Sequence, residues 1–173
     1  MEPVEAPFVG GERESLIGWL AFHRDTLGWK CEGLTPEQLC ERPVPPSSMS
    51  LIGLVRHMAD VERSWFQRFV AGGDPAEVGP IYYGPENPDG DFDDIDPATT
   101  DSDIARWREE CALADEVIAA TDLDDVRYAE RWDRDISMRW VMGHMVEEYA
   151  RHNGHADLIR ERVDGATGDS RPD

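Results

Sequence analysis

Glu148, His152 and His155 are the residues whose types and spacing most plainly offer chemistry. They lie in a run that reads as a helix from about residue 138 to 163. At ~100° per residue, Val141, Met145, Glu148, His152, His155 and Ile159 share one face. A face that packs into a core is expected to be apolar, because burying an unpaired carboxylate or imidazole costs several kcal/mol. Here a carboxylate and two imidazoles interrupt it. Glu148 and His152, four residues apart, stand one above the other, and His155 follows on nearly the same face. One helix commonly offers two ligands to a divalent ion through such a pair. A third ligand must then come from another helix, and His57 is the best candidate. Two imidazoles and a carboxylate with open positions suit catalytic Zn²⁺ or a non-haem Fe²⁺ facial triad, and Ni²⁺ or Mn²⁺ can occupy similar sites. A core ion pair between Glu148 and His152 is the competing reading by pattern alone. A repeated Glu-x-x-His motif for a di-iron bundle is absent, as are a Gly-x-Ser-x-Gly elbow, a phosphate loop and a dinucleotide fingerprint.

The elements that must position these groups are four amphipathic helices. The first runs over about 12–29, with Leu16, Leu20, His23 and Leu27 on one stripe. His23 reads there as a hydrogen-bonded core residue rather than a ligand. Thr35-Pro36-Glu37-Gln38 is an N-cap, a proline at N1 and a capping-box glutamine, so a short helix follows until Pro43, Pro45 and Pro46. The second long helix spans 51–70, with Leu51, Leu54, Val55, Met58, Val61, Glu62, Trp65 and Phe69 inward and His57 on the flank. Residues 72–100 lack helical periodicity. A connection of that length is usually functional or disordered, and it reads as a cover or subunit contact anchored by Tyr82, Tyr83 and Phe92. Its Asp cluster does not have the spacing of a calcium-binding EF-hand loop. The third long helix starts near Ser102 and buries Ile104, Trp107, Cys111, Ala114, Val117 and Ile118. Residues 122–135 form a charged connector with a weak hairpin signal. Ser137 caps the last helix, and Gly165 ends it in a left-handed conformation. The expected fold is all-α: one four-helix-bundle domain with long connections over 1–173, a core over about 11–165 and flexible ends.

The balance of 37 acidic against 17 basic residues gives a formal net charge of −20. That excludes neutralisation of nucleic-acid phosphates and attraction to an anionic membrane surface. No apolar run is long enough to span a bilayer, and the acidic start lacks the form of a signal peptide. Three cysteines with no C-x-x-C pair indicate neither a disulfide framework nor a cysteine zinc site. A reduced cytoplasmic protein acting on a small molecule is the expectation.

The stretch Ser50-Leu51-Ile52-Gly53-Leu54-Val55-Arg56-His57-Met58-Ala59-Asp60-Val61-Glu62 and the run from Ser137 to Gly165, with Glu-Tyr-Ala-Arg-His-Asn-Gly-His-Ala-Asp at its centre, resemble the DinB-like superfamily. More narrowly they resemble an uncharacterised actinobacterial branch related to mycothiol and bacillithiol S-transferases. The resemblance runs from the first helix to Gly165. It implies a bundle, often dimeric, with a divalent metal between helices held by one His of the second helix and a His-x-x-x-His pair of the last. His57 and His152 match two of those positions, and Glu148 stands where the middle His is usual. Two arrangements follow. Glu148 ligates directly, which is favoured, or His155 (less favoured, His144) completes the triad with Glu148 behind it. The implied activity is metal-assisted transfer of a low-molecular-weight thiol, with Tyr149 or Glu62 moving a proton and Arg56 and Arg151 meeting an anionic group of the thiol. A metal-dependent hydrolase or isomerase, and a non-catalytic stress-linked bundle, are the alternatives.

Overall fold

A computed structural model describes residues 4–168; residues 1–3 and 169–173, part of the ends expected to be flexible, lie outside the described residues. The chain is mostly helical. Helix α1 spans Glu12–Cys31, short α2 Pro36–Leu39, α3 Leu51–Glu62, short α4 Gly90–Asp93, α5 Thr100–Ala120 and α6 Met138–Asp164. The long helices pack chiefly as α1 on α6 and α3 on α5, with α3 also touching α6. Leu20, Leu27, Leu51, Leu54, Met58, Val141, Met145 and Ile159 are all buried in the shared core. Among the described residues, no helix is long and apolar enough to cross a membrane.

The caps are those the sequence encodes. Thr35 and Gln38 form the reciprocal capping box of α2. The Ser50 side chain accepts from the Gly53 amide at the start of α3, and Ser137 from the Trp140 amide at the start of α6. Gly165 closes α6 at φ 83°, a conformation glycine adopts without a Cβ clash.

Three features refine the expectation. Residues 51–70 are not one α-helix: from Arg63 to Val70 the backbone is π-helical, and the Ala71 amide reaches back five residues to the Phe66 carbonyl at 2.9 Å. Each turn there holds more residues than an α turn. Phe66 and Val70 take the fully buried positions, while Trp65 and Phe69 lie half-buried at the side. The connector after α5 does form a hairpin, β1 Val126–Ala129 and β2 Arg134–Ser137, antiparallel with Val126 opposite Ser137 and Ala129 opposite Arg134. The purely helical expectation is corrected by this small sheet, which four-residue strands signal only faintly in a sequence. Finally, the 72–100 segment is ordered around α4. Arg56, buried beneath it, donates to the Asp94 carbonyl at 2.8 Å and the Gly90 carbonyl at 3.0 Å. It also pairs with Asp103 at 3.6 Å and stacks on the Tyr82 ring at 4.2 Å.

Candidate metal centre

Helix α3 supplies His57 and helix α6 supplies Glu148 and His152. One ligand atom from each lies within 4.8 Å of the others. His152 Nε2 is 3.5 Å from Glu148 Oε2, and the His57 and His152 rings are 4.7 Å apart between centroids. Ligands bonded at ~2.0–2.1 Å around a tetrahedral ion stand about 3.3–3.4 Å from one another, so the His152–Glu148 ion pair at 3.5 Å is spaced closely enough to share an ion.

The surroundings prepare the imidazoles for that task. His57 Nδ1 meets Asp91 Oδ2 at 2.8 Å, and Asp91 is buried. Such a carboxylate fixes the ring and its tautomer, leaving Nε2 with a free lone pair. Phe92 packs on the other side of His57 at 5.4 Å between centroids. Burial, and then the neighbouring His57 and His155 imidazoles, push the pKa of His152 down to about 4. His152 is therefore neutral near pH 7, the state in which an imidazole donates to a metal. The three residues fit a divalent ion on donor type and spacing.

His155 stands behind this group: its Nδ1 is 3.4 Å from His152 Nδ1, on the other nitrogen from the one facing Glu148. His144 lies one turn before Glu148, with Nε2 3.4 Å from Glu148 Oε1. The remaining candidates are placed elsewhere. Glu62 and Tyr149 are sealed in the core, each with no exposed surface. The Tyr149 hydroxyl donates to Glu62 Oε1 at 2.8 Å and accepts from Trp107 Nε1 at 2.9 Å. Arg24 grips both Glu62 oxygens at 2.7 Å. Moving a proton to a substrate requires an access that neither residue has. Arg56 is committed to the α4 segment as described above, and exposed Arg151 pairs with Glu147. Neither reaches the cavity beside His57 as an anion-binding group. His23 is half-buried rather than a core residue, its carbonyl accepting from Asn153 Nδ2 at 3.0 Å and its ring Nδ1 3.3 Å from the same nitrogen.

That cavity, of about 300 Å³, is lined by His57, Asp60, Trp65, Tyr83, Asp91 and Phe92 among others. Asp60 accepts from the Ile81 amide at 2.6 Å and the Tyr82 amide at 3.0 Å, tying the loop to α3. On the far side of Trp65 lies a second, larger cavity of about 500 Å³, walled by Trp65, Trp132, Trp140 and His144. The hairpin presents Trp132, which stacks on Trp65 at 5.5 Å with planes 3° apart.

The sequence reading did not identify Asp91 or the Trp65–Trp132–Trp140 wall. Asp91 is one acid in a run of five, and only the α4 turn distinguishes it. The tryptophans carried the signal of composition alone.

A family model described as mycothiol S-transferase matches residues 15–165. The chain belongs to the mycothiol S-transferase family. The match covers both stretches that carry the DinB-like resemblance and every member of the His57–Glu148–His152 group. No curated protein and no solved structure matches the chain.

Proposed function

We propose that the protein is a metal-dependent thiol S-transferase that joins a low-molecular-weight thiol of the mycothiol type to a small electrophile. The observation that carries this reading is the meeting of His57, Glu148 and His152, with His57 lining a cavity and oriented by buried Asp91. Membership of the mycothiol S-transferase family supplies the transfer chemistry.

In this reading His57, Glu148 and His152 hold one divalent ion, Zn²⁺ in the first instance, with Ni²⁺, Fe²⁺ or Mn²⁺ as alternatives. When bound, the ion would stabilise the thiolate form of the thiol, which is the nucleophile. Asp91 keeps the His57 ring aimed and its Nδ1 protonated. Glu148 brings one negative charge to a group of two neutral imidazoles, leaving room for a single thiolate before the charge of a dication is cancelled. Trp65, Tyr83 and Phe92 line the space in which thiol and electrophile meet, and limit the access of water that would stabilise the unreacted thiolate. The four long helices act as a DinB-like bundle that brings α3 and α6 together, in a cytoplasmic, homodimeric protein acting on a small-molecule substrate.

The test is metal content and thiol-dependent turnover measured on the same preparation. Protein purified without added metal should carry about one tightly held equivalent, and His57→Ala and His152→Ala should each lose it together with conjugation of a generic electrophile to mycothiol. Undiminished metal content in both variants would reject the assignment.

A further inference from the structure

Glu148 faces two histidines at once. Its Oε2 lies 3.5 Å from His152 Nε2, and its Oε1 lies 3.4 Å from His144 Nε2. His144 and Glu147 belong to no part of the centre described above. With Glu148 they form a second cluster whose ligand atoms lie within 4.8 Å of one another. We infer that Glu148 bridges two divalent cations, one held with His57 and His152 and the other with His144 and Glu147. The inference rests on the His57 site as the first half of the pair.

In the second cluster Glu147 Oε2 lies 3.5 Å from His144 Nδ1 and Glu148 Oε1 3.4 Å from His144 Nε2, so two carboxylates face one imidazole. Arg151 engages the other oxygen of Glu147, so that Oε2 remains available to the cluster. The His144 ring is held in place. It stacks on Trp140 at 4.8 Å with planes 21° apart, and Trp65 meets it edge-on at 4.9 Å. The 3.4 Å spacing of His144 Nε2 and Glu148 Oε1 is again that of two ligands around an ion bonded at ~2.0–2.1 Å.

Only a carboxylate at position 148 permits the arrangement. A neutral imidazole has one lone pair to give, whereas a carboxylate has two oxygens and can join ions a few ångströms apart, the spacing of two-metal sites. The second ion would sit beside the larger cavity, because His144 lines that cavity and His57 lines the smaller one. It has the more exposed ligands, Glu147 above all, so it binds second and more weakly.

The experiment is a titration of the metal-stripped full chain with Mn²⁺, followed by calorimetry and electron paramagnetic resonance. Wild-type protein should take up two equivalents in sequence, with an exchange-coupled spectrum appearing only with the second. His144→Gln should bind one equivalent with unchanged affinity and no coupling, and Glu147→Gln should weaken the second equivalent alone. His144 is part-exposed, and an unchanged thermal midpoint of the stripped variant would show that the fold is intact. Saturation of wild type at one equivalent, or two equivalents without coupling, overturns the bridge while leaving the His57 site standing. Failure to bind any ion overturns both.

Discussion

Replacing Asp91 by Asn tests the metal centre without touching a ligand. The Asp91 carboxylate is buried and accepts from His57 Nδ1 at 2.8 Å. Asn keeps the size and one acceptor oxygen but loses the charge that makes the ring a better donor and pins its tautomer. Loss of such an outer carboxylate weakens metal binding about 10–100-fold, or ~1.4–2.8 kcal/mol. The long-range term has the same sign, since a negative charge is removed from beside a dication in a part-buried setting. The assay is competition for Zn²⁺ against a chromophoric chelator of known affinity, with wild type and His57→Ala as the two limits. Asp91→Asn should fall between them, closer to wild type, with its metal-free thermal midpoint little changed. An affinity equal to that of wild type would refute the claim that Asp91 prepares His57. An affinity equal to that of His57→Ala would show that Asn turns the ring away altogether.

Three other outcomes follow from the geometry. Glu148→Ala should abolish tight metal binding, whereas His155→Ala should keep an ion at the His57 site with at most about a tenfold loss, because His155 touches only the far nitrogen of His152; equal losses on equilibrium dialysis would return His155 to the ligand set. Tyr149→Phe leaves the Trp107 indole N–H without its acceptor, while Glu62 Oε1 keeps Arg24, so urea unfolding should show a loss of about 1–3 kcal/mol with metal affinity unchanged; normal stability with lost turnover would restore the proton-transfer role. A Cβ at Gly53 would stand 2.8 Å from Phe92 Cδ1. The overpacking of Gly53→Ala costs about 1–3 kcal/mol against a helix-propensity gain of at most ~1 kcal/mol. A small net destabilisation and weaker metal binding are expected, and a more stable variant would contradict the close packing of α3 against the α4 turn.

The helices were legible in the sequence because their signals are local. The Thr35–Gln38 box, the Ser50 and Ser137 caps and Gly165 each act within one turn, and the apolar stripes of α1, α5 and α6 recur at helical spacing. Half of the candidate site was legible for the same reason: Glu148 and His152 are neighbours on one helix, and their polarity conflicts with the face they occupy. His57 was reached by a weaker argument, its place on the flank of an otherwise apolar helix. Asp91 and the tryptophan wall depend on how a 29-residue segment and a hairpin fold back over α3, and periodicity does not encode that. Glu62 and Tyr149 misled because a buried acid and a phenol near a candidate site look catalytic in one dimension. In three dimensions Arg24 and Trp107 satisfy them. The π turns of Arg63–Val70 leave no signature in the pattern of apolar residues, since Trp65 and Phe69 continue the α-helical spacing although Phe66 and Val70 are the residues buried.

The π-helical stretch also bears on how this protein can change over evolutionary time. A wide turn takes up an additional residue inside a helix, whereas most length changes are confined to surface loops. The stretch begins after His57 and carries Trp65, among the described residues the one side chain that lines both cavities. Loss of a single residue between 63 and 70 would therefore exchange a π turn for an α turn and re-aim Trp65, with His57 upstream left in place. The partition between the two chambers is thus open to revision by insertion and deletion, while the His57–Glu148–His152 group is left where it stands.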